Sequence, residues 1–296
     1  ALTAGTGSDL SLHSHSVQRV CRAYVEARRM HKKPWLRWRG RRSLGWVPFN
    51  TGHVTFDGEA FTFRGVRYET MHLRDVLAGA TIGAGSFNAD SRGRWYINLP
   101  IEVPEATSAS ITHVGIDLGL KDLATLSTGE KIAAPRFYRA SEARLATAQR
   151  ARKTKRARAI HAKAANRRRD FLHQQSARIV KDHGLIIVGN VNASKCARTT
   201  MAKSVLDAGW SAFRAMLRYK ARLRGGGACL EVSEHLSTQT CSECGAVPAS
   251  RPRGIAGLRE RMWRCDDCGA EHDRDVNAAR NILRLGQQTL GGGAHV

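Results

Sequence analysis

Short apolar runs broken by turn residues fill the first third of the chain, and helical periodicity follows. From residue 47 to residue 103 the sequence reads in strand-like pieces, VTFDGEAFTFRG and then GSFNADSRGRWYINLPIEV. Asp57-Gly58 and Arg92-Gly93 mark tight turns, and strands at this spacing predict a small antiparallel β-barrel over 47–105. Ahead of it, Val17, Val20, Tyr24 and Val25 recur at helical spacing, so a helix is predicted from Ser16 until Pro34 stops it. Residues 1–15 lack any such pattern and are expected to be disordered. Pro104–Thr112 reads as a linker. The stretch His113–Ala124, HVGIDLGLKDLA, then predicts a β-hairpin with Asp117 on its first strand and a turn at Gly119–Asp122. Ser141–Asp182 is helical in pattern. Gly184–Val191 is a continuous apolar run, the mark of a buried parallel strand. Trp210–Arg224 places Phe213, Met216, Leu217 and Leu223 on one helical face, Gly225–Gly227 ends it, and Ala228–Val232 is the next strand. A last helix follows Asp275, with Val276, Ala279, Ile282 and Leu283 at core spacing, and residues 286–296 are expected to form a disordered tail. Hairpin, helix, strand, helix, strand is the order of an α/β domain.

Charge narrows the class of partner. The 296 residues hold 48 Lys+Arg against 25 Asp+Glu, a net charge of +23. Each phosphate that such a surface neutralises releases counterions, so a polyanion is the expected partner. The excess is concentrated: Arg144–Arg169 carries Lys and Arg throughout and no acid at all. Like charges at helical spacing repel, and a phosphate backbone lying against the run explains its density better than solvent does. Trp35, Trp38 and Trp46 alternate with arginines, which suits either stacking on nucleic acid or a core role. No apolar run is long enough to cross a membrane, and the Gly/Ser/His-rich start shows no signal peptide. The chain begins at Ala1 rather than Met, which leaves residues upstream an open matter.

Four of the seven cysteines stand as two CxxC pairs, Cys241/Cys244 and Cys265/Cys268, twenty residues apart. Two such pairs give a tetrahedral thiolate site of the zinc-ribbon kind, closed by its four ligands and therefore structural. Gly245 and Gly269 follow the pairs, where tight turns need them. His272 is a poor fifth ligand, since four thiolates already complete the shell. Cys21, Cys196 and Cys229 are scattered, which is metal usage in a reducing compartment rather than a disulfide framework.

Strand-borne Asp117, the two CxxC pairs and the segment His272-Asp-Arg-Asp275-Val-Asn-Ala-Ala-Arg-Asn-Ile-Leu283, in that order, resemble the transposon-encoded TnpB (OrfB) family. These are RNA-guided nucleases related to the type V CRISPR effectors. The resemblance runs from about Trp35 to Leu285 and is most specific in the last third. It implies an RNase H-like (RuvC-type) domain over 106–240, interrupted by a basic helical hairpin at 141–182. A zinc ribbon over 241–268 and a closing helix over 269–285 would follow it. The barrel at 47–105 would be the family's wedge domain, and residues 1–46 a shortened recognition part. Guide RNA and target DNA are the implied partners, structural Zn²⁺ and catalytic Mg²⁺ the implied cofactors, and the prokaryotic cytoplasm the implied location.

The chemistry of that family needs about three carboxylates in one cleft, because hard oxygen ligands suit Mg²⁺ and two metals flank the bond that breaks. Asp117 and Asp275 match the first and last by resemblance. Asp275 has a second possible duty as the cap of its helix, which Asp273 could share. The family usually places a Glu at the end of the strand where this chain has Gly189, and Asn190 cannot supply the charge. Either the metal site is lost and the protein only binds, as a guided repressor would, or another carboxylate has moved in. Glu234 is the candidate, at the end of the next strand and just before Ser237-Thr-Gln-Thr-Cys241, an arrangement that a subset of the family resembles. Adjacent strands lie about 4.8 Å apart, a gap a Glu side chain spans. A non-catalytic zinc-ribbon RNA-binding protein would also explain the charge and the cysteines, though not the Asp117 hairpin.

Overall fold

The computed structural model describes residues 13–36, 40, 43–71, 80–102, 110–191, 202–253, 257 and 260–291. The chain divides into two compact units, Ala1–Pro104 and Glu105–Val296. The first begins with helix α1, Ser14–His31, so two residues expected to be disordered are helical, while residues 1–12 lie outside the described residues. Arg28, Arg29 and His31 crowd its last turn, where the helix dipole favours cations. Trp35 is 80 % exposed with the Arg28 guanidinium 5.8 Å from its ring, so it is not a core residue. Trp38 lies outside the described residues.

The strands of this unit are β1 (Trp46–Pro48), β2 (Val54–Phe56), β3 (Ala60–Phe63), β4 (Val66–Glu69), β5 (Ser86–Ala89) and β6 (Trp95–Asn98). Where the turn spacing suggested one barrel, they pair as two three-stranded antiparallel sheets, β1-β5-β6 and β2-β3-β4. Phe49, Val54, Phe61 and Phe63 form a shared core with Phe56, Phe87 and Ile97 against it. The Asp57-Gly58 turn forms as read: the Asp57 carboxylate accepts the N–H groups of Glu59 and Ala60, and Gly58 has φ +101°.

The second unit is a five-stranded mixed sheet with helices on both faces, an α/β architecture. Its strands are β7 (His113–Leu118), β8 (Asp122–Leu126), β9 (Lys131–Ala133), β10 (Leu185–Gly189) and β11 (Ala228–Val232), in spatial order β11-β10-β7-β8-β9. β7, β8 and β9 form an antiparallel meander, whereas β7, β10 and β11 run parallel. The helices are α2 (Glu142–Arg150), α3 (Thr154–Asp182), α4 (Ala202–Ala208), α5 (Trp210–Leu223) and α6 (Arg274–Gly291). α2 and α3 make a hairpin with a small core of Leu145, Ala148 and Ile160. Asn192 and Cys196 lie outside the described residues.

Period-two alternation sorts the strand residues. Val114, Ile116, Leu118, Ile186 and Val188 join the core built with Leu172 and Ile179 of α3 and Phe213 and Leu217 of α5. Gly115 and Asp117 of β7, with Ile187 and Gly189 of β10, therefore face the other way, toward α6. That helix lies very close to the sheet. A side chain at Gly115 would strike the backbone carbonyl of Ala279 and the backbone of Leu283, and one at Gly286 would strike Ile187. Gly286 is thus a packed helical residue, and α6 runs on to Gly291, six residues beyond the expected end at 285, with residues 287–290 exposed. No helix among the described residues is long and apolar enough to cross a membrane.

The close approach makes a direct test. Gly115→Ala places a methyl against backbone that cannot rotate away, and it should destabilise the protein by about 1–3 kcal/mol. Thermal denaturation checks it; an unchanged Tm would mean that α6 has room to lift.

Candidate active site and metal centre

Asp117 ends the inward-turned row of β7. The β10–β7 register pairs Val188 with Ile116, and one further step brings Gly189 abreast of Asp117. On the other side Gly189 pairs with Val232, and Asn190 N–H donates to the Val232 carbonyl at 2.9 Å. Glu234 follows two residues later. Its side chain lies over Gly189: a β-carbon built on that glycine would meet the Cγ, the Cδ and one carboxylate oxygen of Glu234. The same oxygen accepts the Val191 N–H at 3.2 Å. Glu234 thus fills the volume that a side chain at 189 would need. Burial raises its pKa, against the Val191 N–H and the Arg214 charge, which lower it.

The third carboxylate comes from the start of α6. Asp273 caps that helix, its Oδ1 accepting the N–H groups of Asp275 at 3.0 Å and Val276 at 3.1 Å while Oδ2 takes Lys131 Nζ at 2.6 Å. Relieved of capping, Asp275 meets Arg261, whose Nη1 stands 2.8 and 3.2 Å from its two oxygens, and Arg274, whose Nε is 3.5 Å away. The Asp117 carboxyl is pushed up to about 8, by burial first, then by the charges of Glu234 and Asp275, with Arg274 opposing. The shift thus combines the burial of the carboxyl with negative charge gathered around it. Three hard oxygen donors with a surplus of charge suit a divalent cation such as Mg²⁺.

The four cysteines gather as a group. Their sulfurs all lie within 4.8 Å of one another, Cys241 to Cys268 at 3.7 Å and Cys244 to Cys265 at 3.8 Å. A tetrahedron with metal–sulfur bonds of about 2.3 Å has edges of about 3.8 Å, so the donor set fits Zn²⁺. Both knuckles use one turn: Gly245 N–H donates to the Cys241 carbonyl and Gly269 N–H to the Cys265 carbonyl, with φ of +79° and +75°. Strands β12 (Met262–Arg264) and β13 (Glu271–Asp273) pair antiparallel around the second knuckle. His272 is buried against Trp263, with Nε2 3.1 Å from the Cys241 sulfur. It supports a ligand from outside the shell.

Sequence reasoning missed the link between the two centres. Asn277 and Asn281 of α6, 1 % and 2 % exposed, both donate to the Ser237 and Thr240 carbonyls, at 2.7–3.3 Å. Asn277 also accepts the Ser242 N–H at 2.9 Å. The segment between Glu234 and the first knuckle is thereby stapled to the helix that presents Asp275. Asparagines at i and i+4 of an otherwise apolar helical face are the signal that could have shown it. Arg261 was missed too, and its local sequence offers no such signal.

A family model described as "Probable transposase" (OrfB_IS605) matches residues 96–200, and one described as "Cas12f1-like, TNB domain" matches residues 210–282. The chain is 38 % identical over 231 residues to a protein of Streptomyces pristinaespiralis named "Putative RNA-guided DNA endonuclease", an alignment covering 72 % of this chain and 55 % of that one. It is 33 % identical over 238 residues to "Putative RNA-guided DNA endonuclease InsQ" of Escherichia coli K12, covering 70 % and 58 %. The TnpB-like protein L79 of Acanthamoeba polyphaga mimivirus is 29 % identical over 136 residues, covering 44 % and 25 %. A solved Cas12f1–sgRNA–target DNA complex aligns at 16 % identity and a TM-score of 0.46, over 85 % of this chain and 69 % of that one. The resemblance to the TnpB family is borne out by these matches. The chain spans a little over half the length of the first two relatives.

The charge crowding sets a pH dependence. Asp117 has a folded pKa of about 8, above its ordinary 3.8, so the native state holds a proton that the unfolded chain releases. Stability from this group is complete below the ordinary value and is lost as pH rises toward 8. Asp117→Asn should therefore raise the stability of the metal-free protein at pH 8, by on the order of 2 kcal/mol, and do so much less at pH 4. Denaturant titrations at the two pH values check this; an equal effect at both would mean that the carboxyl is not crowded.

Proposed function

We propose that this chain is the core of a TnpB-type RNA-guided DNA endonuclease, with Asp117, Glu234 and Asp275 as its metal-holding carboxylates. The observation that carries the reading is the seat of Glu234 on Gly189. A carboxylate from the end of β11 fills the space where a side chain on β10 would have stood, next to Asp117. The sheet order β11-β10-β7-β8-β9, with its antiparallel meander and two parallel additions, supports assignment to the RNase H-like (RuvC) class. In this reading the double sheet of the first unit is the wedge, and the acid-free run on α2 and α3 lies along a guide–target duplex. Guide RNA pairs with the target while the protein reads a short neighbouring motif. The cysteine cluster holds structural Zn²⁺.

Mg²⁺ at the carboxylates would supply Lewis-acid stabilisation of the attacking and leaving oxygens in an in-line displacement at phosphorus. The residues do the rest. Asp117, which burial and its acidic neighbours keep protonated to about pH 8, would have to release that proton to hold the metal. Glu234 is held by the Val191 N–H so that one oxygen stays fixed and the other is free to ligate. Arg261 and Arg274 keep Asp275 turned toward Asp117 and supply positive charge for a phosphodiester.

Glu234→Gln keeps size and hydrogen bonding but removes charge, so it should abolish Mg²⁺-dependent cleavage of a guide-matched target and leave binding of guide and target nearly intact. Gly189→Ala, which sequence alone would treat as a test of packing, should do the same by displacing Glu234. Cleavage assays on gels, with binding by filter retention, separate the outcomes: a Glu234→Gln variant that cuts at the parental rate removes Glu234 from the site. A parent that binds its target but never cuts would support the guided repressor instead.

Protein purified without chelators should contain one zinc per chain by elemental analysis. Cys265→Ser should lose the metal and, through the buried Asn277 and Asn281 staple, loosen the segment after Glu234. Metal-free parental protein with an unchanged fold would contradict the structural role.

A further inference from the structure

A cavity of about 570 Å³ opens past the carboxyl end of β7, between the loop after that strand and α3. Its size is that of a small-molecule site, which commonly spans about 300–1,000 Å³. Lys121, Arg136, Arg139, Arg168 and Arg261 line it, together with one acid, Asp207. Asp207 is buried and already committed: its oxygens accept the Tyr138 N–H at 2.9 Å each and face Arg168 Nε at 3.5 Å. Arg139 is likewise paired with Glu142 at 3.4 Å and Arg261 with Asp275 at 2.8 Å, so the uncancelled charge of the lining is that of Lys121 and Arg136. The Lys121 and Arg136 side chains are exposed and make no ion pair or hydrogen bond among the described residues. Arg136 also holds a left-handed φ of +50°, a conformation that costs a non-glycine residue energy and is kept here by the loop bonds to Asp207.

The inner wall is aromatic. Phe137 and Phe171 stand edge to face with ring centroids 6.2 Å apart, and Leu120 and Leu123 extend the apolar surface. Cations at a rim with aromatic rings behind them recognise a phosphate joined to a flat base. Arg261 belongs to both places, since it lines the cavity and holds Asp275 at 2.8 Å.

We propose that this cavity binds one nucleotide of a single strand, its phosphate on Lys121 and Arg136 and its base against Phe137 and Phe171. The next phosphodiester along that strand then lies toward Asp275. The assignment to a strand awaiting cleavage rests on the nuclease reading above; the binding chemistry does not.

The test uses the full chain in EDTA, so that nothing is cut, and follows thymidine 5′-monophosphate by calorimetry. It should bind better than thymidine or inorganic phosphate, because each of these offers half of the recognised group. Lys121→Ala and Arg136→Ala remove side chains that hold nothing else, and each should weaken binding about tenfold, the worth of one charge-assisted hydrogen bond. Binding no better than that of phosphate, or variants that bind like the parent, would overturn the site. A thymidine tetranucleotide binding more tightly than the mononucleotide supports a strand as the source, and equal affinities would overturn that part alone. A protein that shows the expected binding but never cuts in Mg²⁺ would keep the nucleotide site and remove the nuclease reading.

Discussion

The second unit depends on how closely α6 lies on its sheet. Gly115 beneath it and Gly286 within it remove the side chains that would hold it off, and Ala278 and Ala279 are fully buried at the contact. Small residues on both sides let backbone approach backbone, and dispersion over many close atoms replaces the bulk of larger side chains. The consequence is positional. A helix seated on β7 and β10 has its first turn beside the inward row that ends in Asp117, so Asp275 enters the same volume. With a thicker interface, Asp275 would be an ordinary helix-start carboxylate in solvent.

Glu234 is fixed through the same helix by a second route. The segment after β11 has carbonyls that neither a strand nor a regular helix satisfies, and buried carbonyls without partners are costly. Asn277 and Asn281 meet those needs with side-chain amides, so the path from Glu234 to the first cysteine knuckle is tied to α6. The cysteine cluster then acts beyond its own knuckles. It anchors one end of a segment whose other end carries a carboxylate, and His272 braces Cys241 from β13, the strand that leads directly into α6.

Much of this was legible in the sequence because it lives in local chemistry. Alternation in HVGIDL and the unbroken run LIIVG gave β7 and β10, and Ala228–Val232 matches β11 at both ends. The CxxC pairs fixed the thiolate cluster, since two residues of spacing and a following glycine leave little freedom. The double role suspected of Asp273 and Asp275 resolves as a division of labour that Lys131 enforces from across the sheet. What sequence could not give depends on contacts distant along the chain. The expected barrel is two sheets whose phenylalanines share one core, and turn spacing alone does not say which strands pair. The seat of Gly286 depends on Ile187, far upstream. Arg261 reaches Asp275 only because the second knuckle folds back.

Gly189 shows how an absent side chain can carry a function. Read alone, it is the loss of a carboxylate. In the folded protein it is the condition for gaining one, since any β-carbon there would occupy the place of the Glu234 carboxyl. The two positions are coupled: a Glu at 189 and a Glu at 234 compete for one volume, and the volume lies next to Asp117. Burial first, and then the charges of Glu234 and Asp275, push the Asp117 carboxyl up to about 8. Arg261 and Arg274 offset part of the charge at Asp275, but Arg274 does not outweigh the burial of Asp117 and its two acidic neighbours. In the proposed reading, a divalent cation held by Asp117, Glu234 and Asp275 would balance that charge.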